Sequence, residues 1–114
     1  HPQDSPKYLA SQANRLGWKF PYLLDSDQTL AKALKAACTP DFYVFWPSTE
    51  GDLKLRYRGQ MDGSRPGNDV PISGDDIRLT LESLLNGVDI STDQKPSIGC
   101  NIKWHPGKEP EWFR

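Results

Sequence analysis

Ala37-Cys38-Thr39-Pro40-Asp41-Phe42-Tyr43-Val44-Phe45-Trp46 runs from a helix-like segment, through a Thr-Pro step, into an unbroken aromatic and apolar stretch. Proline cannot continue a helix and biases the residue before it toward extended backbone, so Pro40 stops the helix and sets an extended entry into a strand. Residues 42–46 are apolar throughout, the pattern of a strand covered on both faces. Beyond them Leu53, Leu55 and Tyr57 alternate with Lys54, Arg56 and Arg58, the pattern of a half-exposed strand. The turn-rich residues 47–52 join the two into an antiparallel hairpin.

Upstream, Ser5 followed by Pro6 is a helix start, since the hydroxyl caps an orphan amide and proline at the first helical position loses no needed donor. Tyr8, Leu9, Gln12, Ala13 and Leu16 recur at helical spacing and Gly17 is a left-handed stop, giving a helix over residues 5–16. Trp18, Phe20, Tyr22, Leu23 and Leu24 predict a short strand, with Pro21 at its start or edge. Asp25, Ser26 and Asp27 supply capping oxygens for a second helix with the stripe Leu30, Ala33, Leu34 and Ala37. That helix runs up to Pro40 and leaves Cys38 at its C-terminal end.

Downstream, residues 59–73 are rich in Gly, Pro, Asp, Ser and Asn and read as a long loop. Ser73 caps a third helix with Asp75 and Asp76 in its first turn, Ile77, Leu81, Leu84 and Leu85 on its buried face, and Asn86 and Gly87 at its close. Residues 88–114 hold no clean period, and Pro96, Pro106 and Pro110 argue for an irregular tail anchored by Ile98, Ile102, Trp104, Trp112 and Phe113. The order helix, strand, helix, strand, strand, helix, tail predicts an α/β layer on a mixed sheet. Residues 1–87 form the domain and residues 88–114 a tail packed on it.

The 114 residues suit one small domain. With 14 Lys and Arg against 15 Asp and Glu, the net charge of −1 leaves no electrostatic footprint for nucleic acid or an anionic membrane. No apolar run approaches the roughly 18 residues of a membrane span, so no membrane insertion is expected. The start His1-Pro2-Gln3-Asp4 has no signal-peptide core, and helix-forming sequence follows at once, which reads as a piece of something longer. Two cysteines without a framework point to a reducing interior, and a cytoplasmic location is expected.

Chemistry rests on few residues. Cys38 would resolve or sense a disulfide if a cation lowered its pKa, but a helix C-terminus raises it, and a small semi-buried hydrophobe is the plainer reading. Cys100 follows Gly99, which suggests a tight turn presenting the sulfur for closure on an upstream cysteine or on Cys38. A Cys38–Cys100 bridge would need the two Cα atoms within about 7 Å. Lys54, Arg56, Arg58 and Arg65 read as a solvated face rather than an anion clasp. His105 and His1 sit at no metal-ligand spacing from the cysteines, so no metal and no cofactor is expected.

Four blocks of sequence carry a resemblance: Phe20-Pro21-Tyr22-Leu23-Leu24-Asp25; Gln28 and Ala31 with Ala36-Ala37-Cys38-Thr39-Pro40-Asp41-Phe42; Tyr57-Arg58-Gly59-Gln60 with Asp62, Ser64, Arg65, Pro66 and Gly67; and Lys95-Pro96-Ser97-Ile98-Gly99-Cys100-Asn101-Ile102-Lys103-Trp104. Over nearly the whole chain they resemble the peroxiredoxin-like branch of the thioredoxin superfamily, the alkyl hydroperoxide reductase and thiol-specific antioxidant proteins. The resemblance implies a thioredoxin-like fold, incomplete here, whose strand, redox-cysteine helix and further strand precede His1. It also implies that Pro40 follows a cis peptide bond, that Thr39 and Pro40 bind substrate, with the Thr39 backbone pairing with an incoming peptide or disulfide, and that Cys38 and Cys100 are the thiols of the site. Because the chain has no Cys-x-x-Cys and no Thr three residues before a cysteine, it is expected to be catalytically incomplete. The alternative is a non-catalytic thioredoxin-like module that binds another protein or itself through an exposed sheet edge.

Overall fold

Pro6 at the first helical position and Gly17 at φ +66° bracket α1 (Pro6–Arg15), in a computed structural model that describes residues 1–113. The chain divides into two units, residues 1–35 and the remainder from Ala36. This division does not coincide with the one expected at residue 87, and the tail belongs to the second unit together with the strands.

In the first unit the strand expected over residues 18–24 is absent; these residues make no strand pairing. Their aromatic rings meet one another instead: Trp18 stacks on Phe20 at 5.1 Å and meets Tyr22 edge-on at 5.3 Å. Asp25 and Asp27 cap as expected: the Asp25 carboxylate accepts the amides of Leu30 (3.1 Å) and Ala31 (2.9 Å), and Asp27 accepts that of Thr29 (3.0 Å). They open α2 (Thr29–Ala33), which stops well short of Pro40 because Lys35 turns left-handed at φ +53°. Cys38 is therefore not at a helix end. It lies on β1 (Cys38–Thr39).

The second unit carries the expected hairpin, β2 (Phe42–Pro47) against β3 (Leu53–Gly59), antiparallel. Val44 faces Tyr57 and Phe45 faces Leu55, so Arg56 is the extra residue of a bulge. Coverage of β2 on both faces is not met: Phe45 is 44% exposed, and among the described residues no strand pairs with the second edge of β2. The outer edge of β3 is closed by the tail. The Gln94 side chain accepts the Arg58 amide (3.0 Å) and donates to the Arg56 carbonyl (2.8 Å), and the Gln60 amide donates to the Lys95 carbonyl (2.9 Å).

After β3 a polar knot holds the loop to α3 (Asp75–Leu85). The Asp62 carboxylate accepts the amides of Ser64 (2.9 Å), Ser73 (2.9 Å) and Gly74 (2.7 Å). The Arg65 guanidinium bonds the carbonyls of Asp62 and Ser64 and the Gln60 side chain, whose amide reaches Asp76 at 2.6 Å. The Met61 carbonyl accepts the amides of Asp76 and Ile77 at the start of the helix. Gly74 rather than Ser73 is the cap residue, although the Ser73 hydroxyl still accepts the Asp75 amide. These tethers turn the helix so that Thr80 and Leu84 are buried, while Leu81 and Leu85 of the expected face are exposed.

The tail is less irregular than its prolines suggest. Residues Cys100–Asn101 form β4, antiparallel to β1, with Cys38 opposite Asn101 and Thr39 opposite Cys100. Trp104 is buried and meets Phe113 edge-on at 6.4 Å, an anchor as expected, whereas Ile98 is 67% exposed. Two glycines set how closely this segment lies. A Cβ on Gly99 would stand 1.9 Å from the Thr39 carbonyl oxygen, and one on Gly59 2.3 Å from that of Lys95.

Gly99→Ala and Gly59→Ala are accordingly expected to lose about 1–3 kcal/mol each in urea unfolding, the usual range for overpacking. Gly63→Ala, whose Cβ would meet only Val70 at 3.8 Å, should be near neutral; equal losses at all three sites would contradict the packing described. The three amides bonded to Asp62, Gly74 first, hold its carboxyl below the usual carboxylate range. That contribution to stability is present above the ordinary Asp range and is lost as pH falls through the lowered folded value. Asp62→Asn should therefore destabilise the protein at neutral pH and show a shallower fall on acidification than wild type; parallel acid limbs would sink this assignment.

Candidate functional site

The two-stranded β1–β4 ladder draws together the residues that the sequence singled out. Cys38, Thr39 and Pro40 come from one end of the unit and Cys100 from the tail, and the Thr39–Pro40 peptide is cis. Ile102 donates its amide to the Ala37 carbonyl at 3.2 Å, and the Thr39 hydroxyl donates to the Cys100 carbonyl at 3.4 Å.

The ladder also separates the two sulfurs. Opposite residues of an antiparallel pair share a face and successive residues alternate faces. Cys38 therefore lies on the face of Asn101, while Cys100 lies on the other face with Thr39. Both are free thiols, and the Cys38–Cys100 closure considered from sequence is not formed, because it would require one strand to turn over.

Cys38 is held as a hydrogen-bond donor. Its Sγ lies 3.5 Å from the Ser97 carbonyl oxygen and 3.8 Å from that of Pro40, acceptors that suit an S–H and oppose a thiolate. It shares a cavity of about 350 Å³ with Asp41, Arg58, Gln94 and Ser97. Burial first, and then the Asp41 charge, push the Cys38 thiol up, with Arg58 opposing in part. The direction agrees with the sequence expectation, but the causes are the thiol's own burial and then the Asp41 carboxylate rather than a helix dipole.

Asp41, Tyr43 and Arg58 are site residues that the sequence reading missed. Arg58 pairs with Asp41 at 3.3 Å and lies 5.3 Å over the Tyr43 ring, and the Tyr43 hydroxyl donates to the same carboxylate oxygen at 2.7 Å. Burial, followed by that hydrogen bond, pushes the Tyr43 hydroxyl up to about 12. The signal was present: Tyr43 is directly opposite Arg58 in the hairpin, and Asp41 precedes Tyr43 by one strand period. Arg58 and Arg65 thus leave the solvated basic face expected of them, whereas Lys54 and Arg56 remain exposed.

A second cavity of about 280 Å³ opens beside Pro40, walled by Phe42, Met61, Pro66, Ile72 and Ile98 over the Arg65 side chain. Among the described residues no cluster of three or more His, Cys, Asp or Glu side chains is placed to hold a metal ion, and no helix is long and apolar enough to cross a membrane.

No protein-family model matches the chain, and no functionally curated protein does. Solved structures do match. An uncharacterized conserved protein from Geobacillus kaustophilus is 52% identical with a TM-score of 0.84, the match covering 94% of this chain and 55% of that one. A hypothetical protein from Sinorhizobium meliloti 1021 is 42% identical with a TM-score of 0.82, over 93% of this chain and 56% of that one. The chain spans a little over half the length of the solved proteins it resembles. Its own architecture is small α/β, with two antiparallel two-stranded sheets among the described residues.

The folded state keeps the Cys38 proton more tightly than the unfolded chain does. This contribution to stability is full below the ordinary thiol pKa and is lost as pH rises through the raised folded value. Near pH 8, roughly the ordinary thiol range, iodoacetamide with mass-spectrometric readout should alkylate exposed Cys100 well before Cys38. Asp41→Asn removes the carboxylate while leaving Arg58, and should speed Cys38 alkylation at that pH. Equal rates in wild type, or a slower Cys38 in the variant, would contradict this electrostatic picture.

Proposed function

We propose that this chain forms the substrate-facing wall of a thiol redox site of the thioredoxin-like, peroxiredoxin-like kind, the nucleophilic thiolate being contributed by polypeptide outside these residues. The pairing of Thr39 with Cys100, far apart in sequence, next to the cis Thr39–Pro40 peptide carries this reading. Thr39 and Pro40 shape the site, Cys38 stands beside it as a protonated donor, and Cys100 is the resolving thiol. The thiolate attacks a peroxide oxygen, the O–O bond breaks, and the thiolate becomes a sulfenic acid while water or an alcohol leaves with the proton. Cys100 condenses with the sulfenic acid, forming a disulfide and releasing water, and an external dithiol reduces the pair. The chain alone lacks the first of these groups, because Cys38 is held as a thiol and Cys100 has no neighbouring cysteine in sequence.

The second reading, a non-catalytic thioredoxin-like module that associates with another chain, is favoured by the edge of β2 that no strand pairs among the described residues and by the exposure of Phe45 beside it.

This chain, given a thiol reductant with cumene hydroperoxide or insulin disulfide, is expected to turn over at background, unchanged by Cys38→Ser or Cys100→Ser. Cysteine-dependent turnover would overturn its incompleteness. In the longest polypeptide that its gene encodes, thiol-dependent turnover should appear and fall at least about tenfold in Cys100→Ser, by loss of the resolving step; no turnover in either polypeptide leaves the associating module. For that module, sedimentation should show self-association weakened by Phe45→Glu, and a non-associating monomer would count against it.

A further inference from the structure

β4 occupies main-chain groups that a binding loop would otherwise offer. The Ile102 amide bonds the Ala37 carbonyl, and hydrogen-bonded and non-bonded pairs alternate along an antiparallel ladder, so Thr39 and Cys100 are the next hydrogen-bonded pair. The amide and carbonyl of Thr39 are thereby both committed to Cys100, and its hydroxyl adds a third link to the same residue. Gly99 presses this contact home, since no side chain fits between it and the Thr39 carbonyl. The segment is fastened ahead of β4 as well: the Ser97 hydroxyl donates to the Gly59 carbonyl at 2.6 Å, and the Cys38 thiol faces the Ser97 carbonyl.

An extended peptide that adds to a strand needs free amide and carbonyl groups on the edge it joins. On Thr39 they are taken. Resting on the reading of Thr39 and Pro40 as the substrate-facing loop, we propose that residues 97–102 act as a built-in pseudo-substrate, an intramolecular strand that fills the pairing edge of Thr39 and closes it to peptide strands. The site in this arrangement takes small molecules that need no main-chain pairing, and a protein disulfide reaches Thr39 only after the strap is released. The strap also brings Cys100 to the position opposite Thr39, where the residue of an incoming strand would lie. Cys100 and Ile98 are exposed, so the strap covers the loop without burying its own outer side chains.

Amide hydrogen exchange by NMR, with a synthetic peptide of residues 97–102 carrying an S-methylated cysteine as the probe, tests the proposal without any turnover, and so separately from the redox reading. In wild type the Thr39, Cys100 and Ile102 amides should be protected, and the peptide should leave the Thr39 resonance unmoved up to millimolar concentration. Gly99→Val drives a branched side chain at the Thr39 carbonyl; it should speed Thr39 exchange by at least about tenfold and let the peptide bind and restore protection. If that variant does not fold, Cys100→Pro removes the amide that Thr39 accepts and should behave alike. Fast Thr39 exchange in wild type, peptide pairing at Thr39 with the strap still protected, or a released edge that ignores the peptide would each overturn the proposal.

Discussion

The close seat of residues 95–102 against Gly59 and Thr39 is the contact on which the unit from Ala36 depends. Apolar burial is thin: Ala36, Tyr57, Leu84 and Trp104 are the buried hydrophobic side chains among the described residues. Directional bonds and steric fit therefore carry much of the specificity. Gln94 and Lys95 close one edge of the hairpin, Ser97 bonds Gly59, and β4 pairs with β1, so one tail segment ties together the hairpin and the Thr-Pro loop. Where hydrophobic burial is small, losing one such polar segment exposes a disproportionate share of what holds the unit.

The same seat decides the chemistry of the two cysteines. By fixing the register it puts them on opposite faces, one in a cavity against two carbonyls and a buried carboxylate, the other in solvent. A thiol among carbonyl acceptors and beside a carboxylate stays protonated, so Cys38 contributes a hydrogen bond where a nucleophile would need a cation or a helix N-terminus. The ion pair of Asp41 with Arg58 and the Tyr43 hydroxyl keep that carboxylate in place. On the opposite face of the ladder, the Cys100 sulfur is exposed to solvent and small reagents.

Local signals in the sequence were sufficient where one stretch determined one element. Pro6 and Gly17 bracket α1, Asp25 and Asp27 cap α2, and alternation from Leu53 with a turn before it gives the hairpin. Sequence failed where a distant partner decided. The length of α2 depends on Lys35 adopting a left-handed backbone, for which lysine carries no signal. The face of α3 depends on Met61 and Gln60 tethering its first turn, and the strand character of Cys38 depends on its pairing with Asn101 in the distant tail. Around the Thr-Pro loop, the sequence singled out Thr39, Pro40 and the two cysteines but not the Asp41, Tyr43 and Arg58 cluster beside Cys38. Thr39, Pro40 and Cys100 are adjacent, but nothing in their spacing announced the ladder that joins them or the faces on which the sulfurs lie.

If the tail is the partner of the Thr-Pro loop in solution, Cys38 and Asn101 form the non-hydrogen-bonded pair of β1 and β4, the pair whose α-carbons approach most closely, at about 4.5 Å. A nuclear Overhauser spectrum in heavy water should show a strong cross-peak between the α-protons of Cys38 and Asn101. Its absence, with Cys38 giving instead the medium-range contacts of a helix that continues from Thr29, would mean that the tail does not seat on the loop and that the site described does not form.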